Sequence, residues 1–315
     1  MPRQDVGDGH QLHYELHGNP KGKPVVVLHG GPGGGLQRWI LRLFNLRKWH
    51  VLLYDQRGAG RSTPSGSLTN NTTWHLVEDI EQLRNEVMHV ARWTVFGGSW
   101  GSTLALAYAA RYPAAVHAMI LRGVYLGEPE ENDWMYSAKG GAAQLNPAGL
   151  RAFVSGSGSG SGSVSGSSVS VSGSGSGCRT TRACLSAYAK RFRNRKTRKA
   201  AVKAWNKWER DLSALQATDS NGLDNEPLAT IENHYFRHNC WLQSGELIAA
   251  AATMTMPVVI VQGRHDHVCP PVSAERLAAV LPSAQLIVTE AGHAASEPAT
   301  AKALRAATDK LLASH

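Results

Sequence analysis

The sequence predicts an α/β protein, a doubly wound and mostly parallel sheet with a helical segment inserted into it. Three observations carry this. Continuous β-branched runs, Val25-Val26-Val27-Leu28 and Val258-Val259-Ile260-Val261, read as strands buried on both faces. Such runs alternate with stretches of helical spacing, as in strand–helix–strand units. From about residue 128 to 250 the pattern turns helical and aromatic, with Trp134, Tyr136, Trp205, Trp208, Tyr235, Phe236 and Trp241, before the strands resume. Residues 1–127 and 251–315 therefore build the sheet, and 128–250 form a helical cap.

In order, residues 11–16 alternate as an edge strand, and Gly18-Asn19-Pro20 is a turn. The strand over 25–28 runs into His29-Gly30-Gly31-Pro32-Gly33-Gly34-Gly35, a loop whose backbone N–H groups can approach a ligand closely. It lacks both the lysine of a phosphate loop and the pattern of a dinucleotide site. An oxyanion hole with Gly31 as one donor fits better. Residues 51–54 form the next strand, followed by Asp55-Gln56-Arg57-Gly58-Ala59-Gly60-Arg61-Ser62. Leu76, Val77, Ile80, Leu83, Val87 and Val90 share one helical face, so 73–90 reads as an amphipathic helix.

Residues 92–96 are a strand, 102–112 a helix ending at Pro113, and 119–121 a strand. Within the cap, 155–177 is almost pure Gly/Ser and is expected to be a flexible coil that buries no core. Residues 257–262 and 285–288 are strands, with helices over 273–281 and 298–312.

Composition limits the function classes. In 315 residues, 42% hydrophobic, no apolar run approaches the roughly 20 residues needed to cross a bilayer. Residues 1–13 carry no apolar leader, so no secretory signal and a cytoplasmic setting are expected. Cys178, Cys184, Cys240 and Cys269 lack CxxC spacing, which argues for incidental thiols over a disulfide framework or a zinc site. The net charge of +9 is local: residues 190–210 hold ten Lys/Arg and only Glu209 as an acid, and the other 23 basic residues are balanced by 23 acids. The tract 190–203 reads as a helix with a solvated cationic face. Nucleic-acid or acidic-surface binding is the alternative, but only Phe192 and Trp205 are at hand for stacking.

The chemistry centres on Gly97-Gly98-Ser99-Trp100-Gly101, where a strand turns into a helix and a serine hydroxyl is presented above the sheet. A serine needs an adjacent imidazole to take its proton, and that imidazole needs an acid to orient it. Asp266 follows the strand over 257–262, and His293 follows the strand over 285–288, so the catalytic set is Ser99, Asp266 and His293. The Trp100 N–H is the second oxyanion donor beside Gly31.

The loops quoted above, with Asn71-Thr72-Thr73-Trp74, Leu121-Arg122-Gly123, Ala204-Trp205-x-x-Trp208-Glu209, Ile231-Glu232-x-His234-Tyr235-Phe236, Gly263-Arg264-x-Asp266-x-x-Cys269-Pro270 and Ala291-Gly292-His293, closely resemble the proline iminopeptidase (prolyl aminopeptidase) family. The match spans nearly the whole chain outside about 138–199. The resemblance implies an α/β-hydrolase fold and a cofactor-free, metal-free exopeptidase acting on peptides with an N-terminal proline. It implies that Glu209 and Glu232 bind the substrate's free amine, and that Arg122 and Tyr125 line the proline pocket, the tyrosine replacing a usual phenylalanine. Cys269 is expected near the catalytic set as a thiol sensitive to modification, not as a nucleophile. The Gly/Ser run departs from the family, as does Met135 where an aromatic is usual. A capped hydrolase of small esters or amides without free-amine selectivity is the alternative enzyme.

Overall fold

The structure, a computed structural model, describes residues 2–158, 178, 180–213 and 224–313. Its sheet is made of β1 (Arg3–Asp5), β2 (Gln11–Gly18), β3 (Lys23–Leu28), β4 (Trp49–Tyr54), β5 (Trp93–Ser99), β6 (Val116–Val124), β7 (Val258–Gly263) and β8 (Ala284–Thr289). The helices are α1 (Thr73–Gln82), α2 (Trp100–Arg111), α3 (Pro129–Tyr136), α4 (Gly141–Leu145), α5 (Pro147–Gly156), α6 (Thr181–Arg193), α7 (Arg198–Ser213), α8 (Glu226–Arg237), α9 (Glu246–Ala251), α10 (Pro271–Val280) and α11 (Pro298–Ala313).

Across the sheet the order is β1-β2-β4-β3-β5-β6-β7-β8. Pairings of β2 are antiparallel and those from β4 to β8 are parallel. The chain moves from β3 to β4 on one side and then to β5 on the other. The loops after β3 and β5 therefore part at the carboxyl edge and leave the crevice in which such sheets bind ligands. The expected edge strand over 11–16 is internal instead, because the three-residue β1 covers it. Arg3–Asp5 is too short and too polar to announce itself in sequence.

Side-chain alternation divides the core. Val26, Leu28 and Val95 pack with Leu76, Val77 and Ile80 of α1 and Leu104 of α2, whereas Val25, Val27 and Phe96 pack with Leu304, Ala307 and Leu311 of α11. Ten of the twelve residues of α2 are buried, which explains its uninterrupted apolar run. Each fully buried leucine there is worth about 1.5–3 kcal/mol. The helix expected over 73–90 changes character: α1 ends at Gln82 and a wider π-type turn runs over Leu83–Met88 to a left-handed His89. Arg84 closes that end on the carbonyls of Val90 and Ala91.

Between β6 and β7, α5 to α8 pack around aromatic rings. Tyr136 stacks on Trp205 at 5.1 Å and Phe153 on Tyr188 at 4.6 Å between centroids. The basic tract is two helices instead of one. It breaks at residues 194–197, where Asn194 Oδ1 accepts from Lys196 N and Thr197 Oγ1 bonds back to the Arg191 carbonyl. Phe192 and Trp205 are both buried in the aromatic cluster, so neither offers a stacking surface. The Gly/Ser coil expected from residue 155 is helical at its start, since Ser155 and Gly156 close α5; residues 159–177 lie outside the described residues.

The cysteine expectation needs correcting too. Cys178 and Cys184 form a disulfide, because the chain enters α6 through a left-handed Cys178 that folds back on the helix's first turn. Cys240 and Cys269 are free and buried. Among the described residues no helix is long and apolar enough to cross a membrane.

Candidate active site

The elbow explains its own glycines. A Cβ on Gly97 would run into the Gly101 carbonyl, and one on Gly101 into the Leu28 carbonyl. Between them Ser99 is held at φ 57° and ψ −129°, a conformation that costs a non-glycine residue on the order of 1–3 kcal/mol. Serine at the start of α2 is thus fixed by packing of β5 on α2 and β3, with its side chain turned into the crevice.

Asp266 and His293 arrive on the loops after β7 and β8. The Asp266 carboxylate is buried and fully engaged. Its Oδ1 accepts from the backbone N–H of Val268 (3.0 Å) and Cys269 (2.8 Å), and its Oδ2 from Gln262 Nε2 (3.2 Å) and His293 Nδ1 (2.8 Å). Nδ1 therefore carries the imidazole proton, leaving Nε2 with its lone pair. The loop bearing His293 is anchored where Gly292 N–H meets the Glu297 carboxylate at 3.0 Å. Arg122, at the end of β6, reaches across: Nη1 donates to the His293 carbonyl at 2.8 Å and lies 3.2 Å from His293 Nε2. Among the described residues no hydrogen bond joins Ser99 and His293; the buried Cys269 thiol lines the same cavity, and burial pushes it well above the usual thiol range.

The glycine loop after β3 bends at Gly31, with φ +114°. A Cβ there would lie 2.7 Å from the N atoms of Gly33 and Gly34. The loop is held by two residues whose role the sequence does not show. His29 Nε2 accepts from Gln56 N (3.0 Å), so its Nδ1 donates to the Gly30 carbonyl (2.8 Å); burial keeps this imidazole neutral. Gln56 Nε2 donates to the His29 carbonyl (2.9 Å) and its Oε1 accepts from Trp100 Nε1 (3.0 Å). Loop and elbow are thus locked together. The Trp100 backbone N–H, in the first turn of α2, has no acceptor within its own helix.

On the opposite wall stand Glu209 of α7 and Glu232 of α8. Tyr136 OH donates to Glu209 Oε1, and Trp205 Nε1 to Glu232 Oε2 at 2.7 Å. Burial raises Glu209 to about 7 and, with the neighbouring Glu209 charge, lifts Glu232 well above its ordinary value. Two acids facing one cavity cannot both ionise without a cation between them. Tyr125 packs edge-on against Phe236 and donates to Asn132 Oδ1 at 2.9 Å.

Glu131 of α3 is a further buried acid, missed in sequence because nothing local marks it. It accepts from Leu126 N, Glu128 N and Ser273 Oγ, tying α3 to β6 and α10, and burial raises it to about 7. One cavity of about 480 Å³ is shared by Gly31, Ser99, Arg122, His293, Glu209 and Glu232.

A family model described as alpha/beta hydrolase fold matches residues 23–299, so the chain is an α/β-hydrolase by class. The solved structure of a proline iminopeptidase-related protein from Thermus thermophilus shares this fold, with TM-score 0.64 and 21% identity over 99% of this chain and 97% of that one. Two curated relatives are closer in sequence. The proline iminopeptidase of Xanthomonas citri is 42% identical over 96% of this chain and 94% of its own length. That of Xylella fastidiosa is 40% identical over 98% and 95%. The chain belongs to the proline iminopeptidase family.

Proposed function

We propose that this chain is a serine aminopeptidase that releases N-terminal proline from peptides. The observation that carries the reading is the pair Glu209 and Glu232, lining the same cavity as an elbow serine and an Asp-held imidazole. Their raised affinity for protons is also an affinity for a cation, and a prolyl ammonium is the cation that an aminopeptidase must desolvate.

In this mechanism Ser99 Oγ attacks the prolyl carbonyl carbon while His293 Nε2 takes its proton, and Asp266 steadies the imidazolium. The oxyanion lies between the N–H groups of Gly31 and Trp100. Collapse breaks the peptide bond, the leaving amine takes the proton from His293, and a prolyl ester remains on Ser99. A water deprotonated by His293 then hydrolyses the ester. Glu209 and Glu232 hold the amine throughout, while Arg122 and Tyr125 border the ring. The helical segment 128–250 acts as the cap that carries both acids. No cofactor or metal enters these steps.

A cytoplasmic location belongs to the same proposal. The free thiols of Cys240 and Cys269 favour it, the Cys178–Cys184 bridge weighs against it, and cell fractionation decides. Nucleic acid is left out as a partner, since the aromatics of the basic tract are buried.

The test is hydrolysis of a prolyl amide beside its alanyl and N-acetyl-prolyl analogues and a phenyl ester. Strong preference for the free-amine prolyl substrate is expected, with loss of all turnover in Ser99→Ala. Equal turnover of the N-acetylated substrate would overturn the reading in favour of a general esterase or amidase.

A further inference from the structure

The cavity has two ends, and the mechanism above uses one. Towards the cap it is lined by Tyr125, Met135, Tyr136 and Phe236, which belong to the core that includes α2 and the cap aromatics. Glu209, bonded to Tyr136, and Glu232 stand at this end. At the other end Leu36, Trp39, Ile40, Leu53, Phe96 and Ala295 line the cavity, and all six belong to or pack against the core on the α11 face of the sheet. Ser99, at the carboxyl end of β5, stands where the sheet divides these two cores.

This second end is apolar. The charged residues that line the cavity are Arg122 of β6, Glu131 of α3, Glu209 and Arg210 of α7 and Glu232 of α8. Among the described residues none comes from β3, β4, the glycine loop or the 3₁₀ helix Arg38–Leu43 that follows it. His29, which does, is the neutral imidazole of the glycine loop. Ile40, Leu53, Phe96 and Ala295 are buried, and the half-buried Trp39 is oriented by the bond from its Nε1 to Gln37 Oε1 at 2.6 Å. A volume of about 480 Å³ falls within the roughly 300–1,000 Å³ of sites that take a drug-sized ligand, so space remains once a prolyl group is seated.

The chemistry sets what reaches that space. With the amine between the two acids and the carbonyl carbon at Ser99, the scissile nitrogen must come within reach of His293 Nε2, which protonates it. The chain beyond that nitrogen runs away from the acids. Ala295, two residues after His293, and the residues that follow the glycine loop bound the cavity in that direction.

We propose that this apolar end is the leaving-side specificity pocket: it takes the side chain of the residue after the proline and selects leucine or phenylalanine over glycine or aspartate. The inference rests on the serine-aminopeptidase reading above and names the substrates that site prefers. The aromatic leaving group of a prolyl arylamide occupies the same space, so such amides remain substrates. In the prolyl ester the pocket is vacated, so selection acts on formation of that ester and is carried by kcat/KM.

The experiment measures kcat/KM for Pro-Gly, Pro-Asp, Pro-Leu and Pro-Phe with the full chain and with Trp39→Ala and Trp39→Arg. Pro-Leu and Pro-Phe are expected to exceed Pro-Gly by roughly tenfold or more, as added methylenes do in an apolar pocket, with Pro-Asp lowest. Trp39→Ala should narrow the ratio of Pro-Leu to Pro-Gly several-fold, and Trp39→Arg should raise Pro-Asp relative to Pro-Gly. Each ratio is read within one protein, so the folded fraction cancels, and misfolding cannot produce the gain on Pro-Asp. A second measurement runs the pocket in reverse, with leucinamide and glycinamide competing against water for the prolyl ester. The amine nitrogen attacks the ester carbonyl, His293 takes its proton and returns it to Ser99 Oγ as the ester bond breaks, and prolyl-leucinamide or prolyl-glycinamide is released. Leucinamide should be captured in preference. Equal kcat/KM for the four dipeptides, equal capture of the two amides, or ratios unmoved in both Trp39 variants would overturn the pocket while Ser99-dependent release of proline stands. Turnover of the phenyl ester with no release of proline from any dipeptide would instead overturn the aminopeptidase reading, and the pocket with it.

Discussion

Glu209→Gln should make the protein more stable and less active, and pH separates the two effects. In the fold, burial raises the Glu209 carboxyl to about 7 from an ordinary 4.5. The native state therefore binds this proton more tightly than the unfolded chain does. Below about pH 4.5 both states are protonated and the group is neutral in effect. As pH rises through 7 the native state must ionise a buried acid, and stability is lost. At about 1.36 kcal/mol per pH unit the interval amounts to on the order of 3 kcal/mol. Part of Glu209 is accessible from the cavity and its proton is shared with Glu232, so roughly 2 kcal/mol is the working figure.

Glutamine keeps an oxygen for Tyr136 OH and never ionises. Thermal melts should then show Glu209→Gln several degrees above the unmodified chain at pH 8, and level with it at pH 4.5. Activity should move the other way. Losing one charged bond to the substrate ammonium corresponds to about 1.5–3 kcal/mol, a 10- to 100-fold fall in kcat/KM for a prolyl amide. A melting gain of equal size at both pH values would refute the titration argument. Unchanged kcat/KM would refute the placement of Glu209 at the amine.

Three further outcomes are expected. Gly31→Ala adds a Cβ 2.7 Å from two backbone N atoms at a φ of +114°, so the loop must shift; kcat should drop on the order of 10²–10³-fold and the melting temperature should fall with it. Asp79→Ala strips the buried partner from Arg57, whose Nη2 sits 2.7 Å from Asp79 Oδ1; urea unfolding should show a loss of about 3–5 kcal/mol. Glu15 is held far below its ordinary value, first by Arg38 and then by His17, His13 and Arg61. Its contribution is present above about pH 4.5 and disappears as pH falls. Glu15→Gln should thus cost about 2 kcal/mol at pH 7 and flatten the acid limb of the stability curve.

Much of this protein is legible along the chain because its signals are local. A buried parallel strand must be apolar at every position, so Val25–Leu28 and Val258–Val261 declare themselves. The elbow needs glycines at 97 and 101 because backbone passes within contact of both, and strand-end loops carry Asp266 and His293 in recognisable order. The amine-binding acids are legible only through the resemblance, since neither Glu209 nor Glu232 differs locally from an ordinary helix acid.

Other features have no local signature. Arg122 and His293 lie 171 residues apart and meet only because β6 and β7 pair and the loop after β8 folds over both. His29 and Gln56, 27 residues apart, lock the glycine loop through the parallel pairing of β3 and β4. Glu131 becomes a buried, proton-retaining acid because α3 docks between β6 and α10, and Cys178 meets Cys184 because the chain turns left-handed before α6. Sequence by itself determined which segments could be strands and which side chains could do chemistry, since backbone sterics and burial act on neighbours in the chain. Tertiary structure alone decided what each charge faces, because the environment that shifts a carboxyl is assembled from segments far apart in sequence.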